Sequence, residues 1–179
     1  MKVVLDANVL FPTILREILI DVAGSGLFTP IWSQRILDEW RLAAERLGPE
    51  QGVIAAGEIA VLTACFPLAA VRDDGDRLID WDLPDPADRH VIESALAGGA
   101  ETIVTANLRD FPGYLMRRAG VAAVHPDAFL LGLAGMDRMT ISNAVVRAHE
   151  KAVTMGGQIS LTQMLKRSRL PRLAKSMKG

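Results

Sequence analysis

The chain has 179 residues, 50% of them hydrophobic and 23% charged, which excludes a disordered polymer and favours one core with room for a small appendage. Its single cysteine, Cys65, excludes an intrachain disulfide and a cysteine zinc cluster. The net charge of −1 hides an asymmetry, because residues 1–150 carry 13 Lys/Arg and all 21 Asp/Glu (net −8) and residues 151–179 carry 7 Lys/Arg and no acid (net +7). An acidic body with a basic tail points to an anionic partner, against the plainer alternative of a solvated terminus.

Lys2–Leu5, apolar and β-branched, reads as a buried strand that ends at Asp6. No charged and apolar leader precedes it. The longest uncharged apolar run, Ile59 to Val71, is broken by Pro67 and falls short of the ~20 residues of a membrane span, so the expectation is a soluble, cytoplasmic protein with no membrane partner. Pro12 and Thr13 open a helix with Ile14, Leu15, Ile18, Leu19 and Val22 on one face, stopped by Gly24 and Gly26. Phe28–Trp32 is a brief strand or a loop. Ser33 caps a second helix carrying Ile36, Leu37 and Trp40, ended by Gly48 and Pro49. A third helical stretch, about 50–66, meets Pro67, and Leu68–Val71 reads as another strand.

An acidic connector with Asp73, Asp74, Asp76, Asp80 and Asp82 leads into Leu83-Pro84-Asp85-Pro86-Ala87-Asp88. Pro86 and Asp88 suit the first turn of a helix through Val91, Ile92, Ala95 and Leu96 to Gly98 and Gly99. Thr102–Thr105 and Val121–Val124 are strand-like, and Pro126 opens a helix with Phe129, Leu130 and Leu133. Helices alternating with short buried strands predict an α/β fold with a parallel sheet. A soft boundary falls in 127–140, and the remainder of the chain reads as helical.

Strand-end residues of such a sheet converge on one crevice. Asp6, Asn107 and Asp110 qualify directly, and Glu39 and Asp88 reach the crevice from helices packed against it. Carboxylates sharing a pocket repel one another, and a divalent cation removes that penalty. Oxygen donors without cysteine or paired histidines suit Mg²⁺ or Mn²⁺, which lower the pKa of a bound water and stabilise a transferring phosphoryl group. Taken singly, each residue has a structural explanation: Asp6, Asp85 and Asp110 as turn or cap residues, Asp88 at a helix dipole, Glu39 as a solvated helix residue, His90 as packed or hydrogen-bonded. Cys65 reads as a small buried hydrophobe, and Trp32, Trp40 and Trp81 as core or interface. No P-loop, G-x-G-x-x-G or G-x-S-x-G occurs.

Val3-Val4-Leu5-Asp6-Ala7-Asn8-Val9-Leu10 resembles the first motif of PIN-domain nucleases, the VapC-type toxins of bacterial toxin–antitoxin pairs among them. Leu83 to Val91 resembles their third motif, and Thr105-Ala106-Asn107-Leu108-Arg109-Asp110-Phe111-Pro112 their fourth. Val121 to Leu131, with His125-Pro126-Asp127, is similar to the closing strand and helix of one subgroup. The resemblance covers roughly residues 1–135. It implies a three-layer α/β/α PIN-like fold with a central parallel sheet of four to five short strands, a nuclease domain over 1–135, and a helical extension with a basic tail over 136–179.

The implied activity is hydrolysis of RNA phosphodiester bonds by a metal-dependent endoribonuclease, the toxin of a toxin–antitoxin pair. Asp6, Glu39 and Asp88 would ligate Mg²⁺ or Mn²⁺, with Asp110 or Asn107 in the fourth position. Asn107 departs from the relatives that carry an aspartate there, and Asp38 competes with Glu39 by adjacency. The family also implies a homodimer and a small protein antitoxin; the stripe Ile14, Leu15, Ile18 and Leu19 with Ile36 and Trp40 is the expected groove for it. The alternative is a non-catalytic PIN-like module that binds RNA or protein. A haloacid-dehalogenase-type phosphatase wants an aspartate where Asn8 stands, and a receiver domain a lysine after its late strand. Lys166, Arg167, Arg169, Arg172, Lys175 and Lys178 are expected to hold RNA phosphates, with acidic antitoxin residues as the competing ligand.

Overall fold

A computed structural model describes residues 1–73, 78 and 80–177. Asp74 and Asp76 of the acidic connector and Lys178 of the tail lie outside the described residues. The strands among the described residues, β1 (Lys2–Leu5), β2 (Thr29–Ser33), β3 (Ala70–Val71), β4 (Thr102–Val104) and β5 (Ala122–Val124), form one parallel sheet in the order β3-β2-β1-β4-β5. Phe28–Trp32 thus resolves as a strand shifted by one residue, and only the end of Leu68–Val71 pairs.

Central β1 pairs Val4 with Ile31 on one side and with Ile103 on the other. Its neighbouring side chains Val3, Val4 and Leu5 point to alternate faces, yet all are fully buried, so helices cover the sheet on both sides. The covering helices are α1 (Ala7–Leu10), α2 (Thr13–Gly24), α3 (Gln34–Glu45), α4 (Pro49–Cys65), α5 (Arg89–Gly98), α6 (Gly113–Ala119) and α7 (Pro126–Met136). Ser33 caps α3 by accepting from Ile36 N–H, and a 3-10 turn at Pro86–Asp88 leads into α5. Helix α5 lies against the sheet so closely that a Cβ on Gly98 would sit 2.9 Å from Ile31, which accounts for a glycine there.

The apolar stripe of α2 is plain core. Leu15, Ile18 and Leu19 are buried, as are Ile36 and Trp40 of α3, because that face of α2 turns inward, so of the residues expected to form a groove only Trp40 lines the open one against α4. That groove, of about 590 Å³, lies beside the next face of α2, with Ile20, Val53, Ile54, Val61 and Leu62 among its walls. Arg16 crosses its base, donating to Glu58 at 2.7 Å and to the Leu10 carbonyl at 2.6 Å while stacking over Trp40. Cys65, at the end of α4, is exposed rather than buried. Helix α4 is apolar almost all round, so periodicity does not reveal which residues face water.

The C-terminal segment is no frayed terminus. Helix α8 (Arg138–Thr154) packs on α2 and α7, with Arg147 bonded to Asp21 at 2.6 Å and Lys151 paired with Glu17. Helices α9 (Leu161–Arg167) and α10 (Pro171–Ser176) come next, anchored by buried Leu165, Leu170 and Leu173. Buried Asp127, in the first turn of α7, accepts from the backbone N–H groups of Arg172 and Leu173, each at 2.9 Å, and so caps α10 from 45 residues away. Helix α9 ends in a Schellman turn: Leu170 N–H bonds Leu165 O at 2.9 Å and Arg169 N–H bonds Lys166 O at 3.1 Å. Arg169 occupies its left-handed position with φ 60°, at a cost of about 1 kcal/mol relative to glycine.

Candidate metal centre

The chain crosses from one side of β1 (β2) to the other (β4), so the carboxyl ends of β1 and β4 form a topological switch point, where α/β sheets bind ligands. Asp6 follows β1, starts α1, and is buried. Its Oδ2 accepts from the Thr105 hydroxyl at 2.7 Å and from the Asn8 carboxamide. Asn8 ties the two strand ends together: its Nδ2 also donates to Thr105 Oγ1 at 3.0 Å, and its Oδ1 accepts from Ala106 N–H at 2.8 Å. Asn107 N–H in turn donates to Thr105 Oγ1 at 3.1 Å. Sequence reasoning left Asn8 without a role here; its position two residues past the strand-end aspartate was the available signal.

Asp88 sits half-buried where the 3-10 turn becomes α5. Burial, then the charge of Asp6 and a hydrogen bond and charge from Asp110, push its carboxyl up to about 7. Burial likewise raises Asp6, opposed by its Thr105 and Ala7 hydrogen bonds and reinforced by the charge of Glu39. Asp110, in the turn Leu108–Asp110, accepts from the Asn107 carboxamide, so both candidates for the fourth position stand in contact at the same place. Asp85 accepts from Ala87 N–H at 2.8 Å and is a cap, as its turn context predicts.

Glu39 projects from α3 toward this cluster, close enough to act on Asp6. As it stands its carboxylate meets Arg35 Nε at 3.6 Å and His90 Nε2 at 3.3 Å. Buried His90 donates from Nδ1 to the Ala87 carbonyl at 2.7 Å, so its Nε2 donates to Glu39 only in the doubly protonated ring. Neighbouring Asp38 bonds Gln34 on its own helix at 3.1 Å.

Asp6, Glu39, Asp88 and Asp110 therefore act on one another through their charges, Glu39 on Asp6 and both Asp6 and Asp110 on Asp88. Among the described residues no three His, Cys, Asp or Glu side chains converge tightly enough to hold one ion as they stand. The donors nevertheless fit a hard divalent cation in kind: all are carboxylate oxygens, and the mutual repulsion that raises Asp88 is what a cation relieves.

A family model described as the PIN domain matches residues 2–109, more than half of the chain. The chain belongs to the PIN domain family. A protein of Mycobacterium tuberculosis (strain ATCC 25618 / H37Rv) bearing the name "Putative ribonuclease VapC50" is 48% identical over 44 residues, which span 25% of this chain and 26% of that protein. No solved structure matched. Among the described residues no helix is long and apolar enough to cross a membrane.

Proposed function

We propose that this protein is a metal-dependent endoribonuclease that hydrolyses RNA phosphodiester bonds as the toxin of a toxin–antitoxin pair. The observation that carries the reading is the meeting of Asp6, Asp88 and Asp110 at the switch point of a PIN-family sheet, with Asp88 raised to about 7 by its neighbours. Residues 1–135 hold this chemistry and residues 136–179 extend it. The name of the Mycobacterium relative supports ribonuclease activity.

Asp6, Glu39, Asp88 and Asp110 would hold Mg²⁺ or Mn²⁺. When bound, such an ion supplies an acidified water and neutralises charge on the phosphoryl group. Thr105 and Asn8 fix the Asp6 carboxylate in one orientation. Asn107 steers Asp110, and Asp88, raised by burial and its acidic neighbours, would be held ionised beside the cation. The groove between α2 and α4, with Val53, Ile54 and Val61 exposed, is the place for an apolar antitoxin segment. Homodimerisation and a cytoplasmic location complete the proposal.

The test is incubation of the purified protein with structured and single-stranded RNA. Cleavage is expected with Mg²⁺ or Mn²⁺, none with EDTA, and none from Asp6→Asn. Full cleavage in EDTA overturns the metal mechanism.

A further inference from the structure

Beside the acid cluster lies a cavity of about 450 Å³ whose walls include Asn8, Ala106, Asn107, His125, Arg167 and Arg169. It falls within the ~300–1,000 Å³ of ligand pockets, enough for a nucleotide unit. Asn8 and Asn107, which bond Asp6 and Asp110, thus share one cavity with Arg167 and Arg169 of the basic C-terminal segment. Both arginines are exposed, and among the described residues neither guanidinium has a hydrogen bond or an ion pair. His125 Nδ1 accepts from Asp127 N–H at 3.2 Å, which leaves the proton of the neutral ring on Nε2, a further donor.

The two arginines are held in place rather than tethered on a loose tail. Asp127, two residues past His125, caps α10, and buried Leu165 and Leu170 seat the turn that carries Arg167 and Arg169. Arg169 itself stands in the left-handed position of that turn, where glycine is the ordinary residue. Closing the helix does not call for an arginine there, so the side chain needs another explanation.

We infer that Arg167 and Arg169 form a subsite for the phosphate of the RNA nucleotide flanking the scissile bond, a role that rests on the nuclease reading above. A guanidinium fork matches a phosphate in bidentate geometry. The acid cluster and the acidic body repel a polyanion, and this pair supplies attraction in the cavity that Asn8 and Asn107 also line. The contact is to backbone phosphate, so it strengthens binding without reading sequence.

The test measures the affinity of fluorescent single-stranded RNA for the full chain in EDTA, across a series of salt concentrations, with thermal melting in parallel. Arg167→Ala and Arg169→Gly are each expected to weaken binding about tenfold at low salt and to reduce the log–log salt slope by about 0.7. Arg169→Gly removes the guanidinium and the backbone strain together, so its melting temperature is expected to hold or rise while affinity falls. Arg172→Ala and Lys175→Ala, of the same basic run but outside the cavity, are expected to weaken binding much less than either cavity variant. Unchanged affinity and slope in both cavity variants overturn the subsite, as do equal losses in all four, which mean diffuse tail charge. Retained RNA affinity with weakened binding of a poly-glutamate peptide reassigns the pair to an acidic protein segment. RNA binding that depends on both arginines, without metal-dependent cleavage, overturns the nuclease reading and leaves the subsite. Metal-dependent cleavage with affinity indifferent to both arginines does the reverse.

Discussion

Replacing Asp88 by asparagine is expected to stabilise the protein in EDTA, increasingly as pH rises above 3.8 and in full above about 7. The folded carboxyl sits at about 7 against an ordinary 3.8 because burial, Asp6 and Asp110 all oppose its charge. A group raised on folding contributes stability that is complete below 3.8 and lost as pH climbs through about 7. At full strength the interval is worth about 4 kcal/mol, and solvent screening of a half-buried carboxyl reduces that to about 1–2 kcal/mol. At ~2–4 °C per kcal/mol for a chain of this length, Asp88→Asn should melt about 2–8 °C above wild type at pH 8. The two should converge below 3.8, where the aspartate is neutral in the folded and the unfolded chain alike. The assay is thermal unfolding by circular dichroism in EDTA at a series of pH values. A variant that melts at or below wild type at pH 8 would refute the repulsion argument, and with it the main physical ground for a cation at this place.

Other substitutions separate the roles of neighbouring groups. Asp110→Ala is expected to cost much more RNA cleavage than Asn107→Ala if Asp110 fills the fourth position; the opposite ranking in initial rates gives that role to Asn107. Asn8→Ala removes the link between the ends of β1 and β4, and a loss of at least tenfold in cleavage with little change in melting is expected. Asp127→Ala strips the cap from α10 and should lower stability by about 1–2 kcal/mol, with faster hydrogen exchange over 161–176 as the specific sign. Val61→Asp places a charge in the α2–α4 groove, and on the proposed antitoxin reading it is expected to leave cleavage intact while reducing the amount of any small protein that copurifies with the chain.

The features legible in the sequence are those set by local chemistry. A β-branched run ending in an aspartate announces β1 and Asp6, and Pro86 with Asp88 announces the start of α5. Helical phase favours Glu39 over Asp38, and in the structure the Glu39 charge reaches Asp6 while Asp38 bonds Gln34 on its own helix. What stayed hidden depends on partners distant in the chain. Asn8 acquires its role only when Thr105, 97 residues on, is brought beside it, and the anchoring of α10 needs Asp127. That the basic segment is anchored stays hidden because its charges are conspicuous, while Leu165, Leu170 and Leu173, which bury it, are few. The stripe on α2 marks an apolar face without saying whether the body or a partner covers it, and the body does.

The central claim, that a divalent cation binds among Asp6, Asp88 and Asp110, is tested most directly by calorimetric titration with Mn²⁺ in buffers of different ionisation enthalpy. Because Asp88 is protonated below about 7, binding at pH 6 must displace its proton. The account predicts release of about one proton per ion at pH 6 and close to none at pH 8.5, with binding lost in Asp6→Asn and the proton signal lost in Asp88→Asn. Mn²⁺ binding that releases no proton at pH 6, or that persists unchanged in both variants, would contradict it.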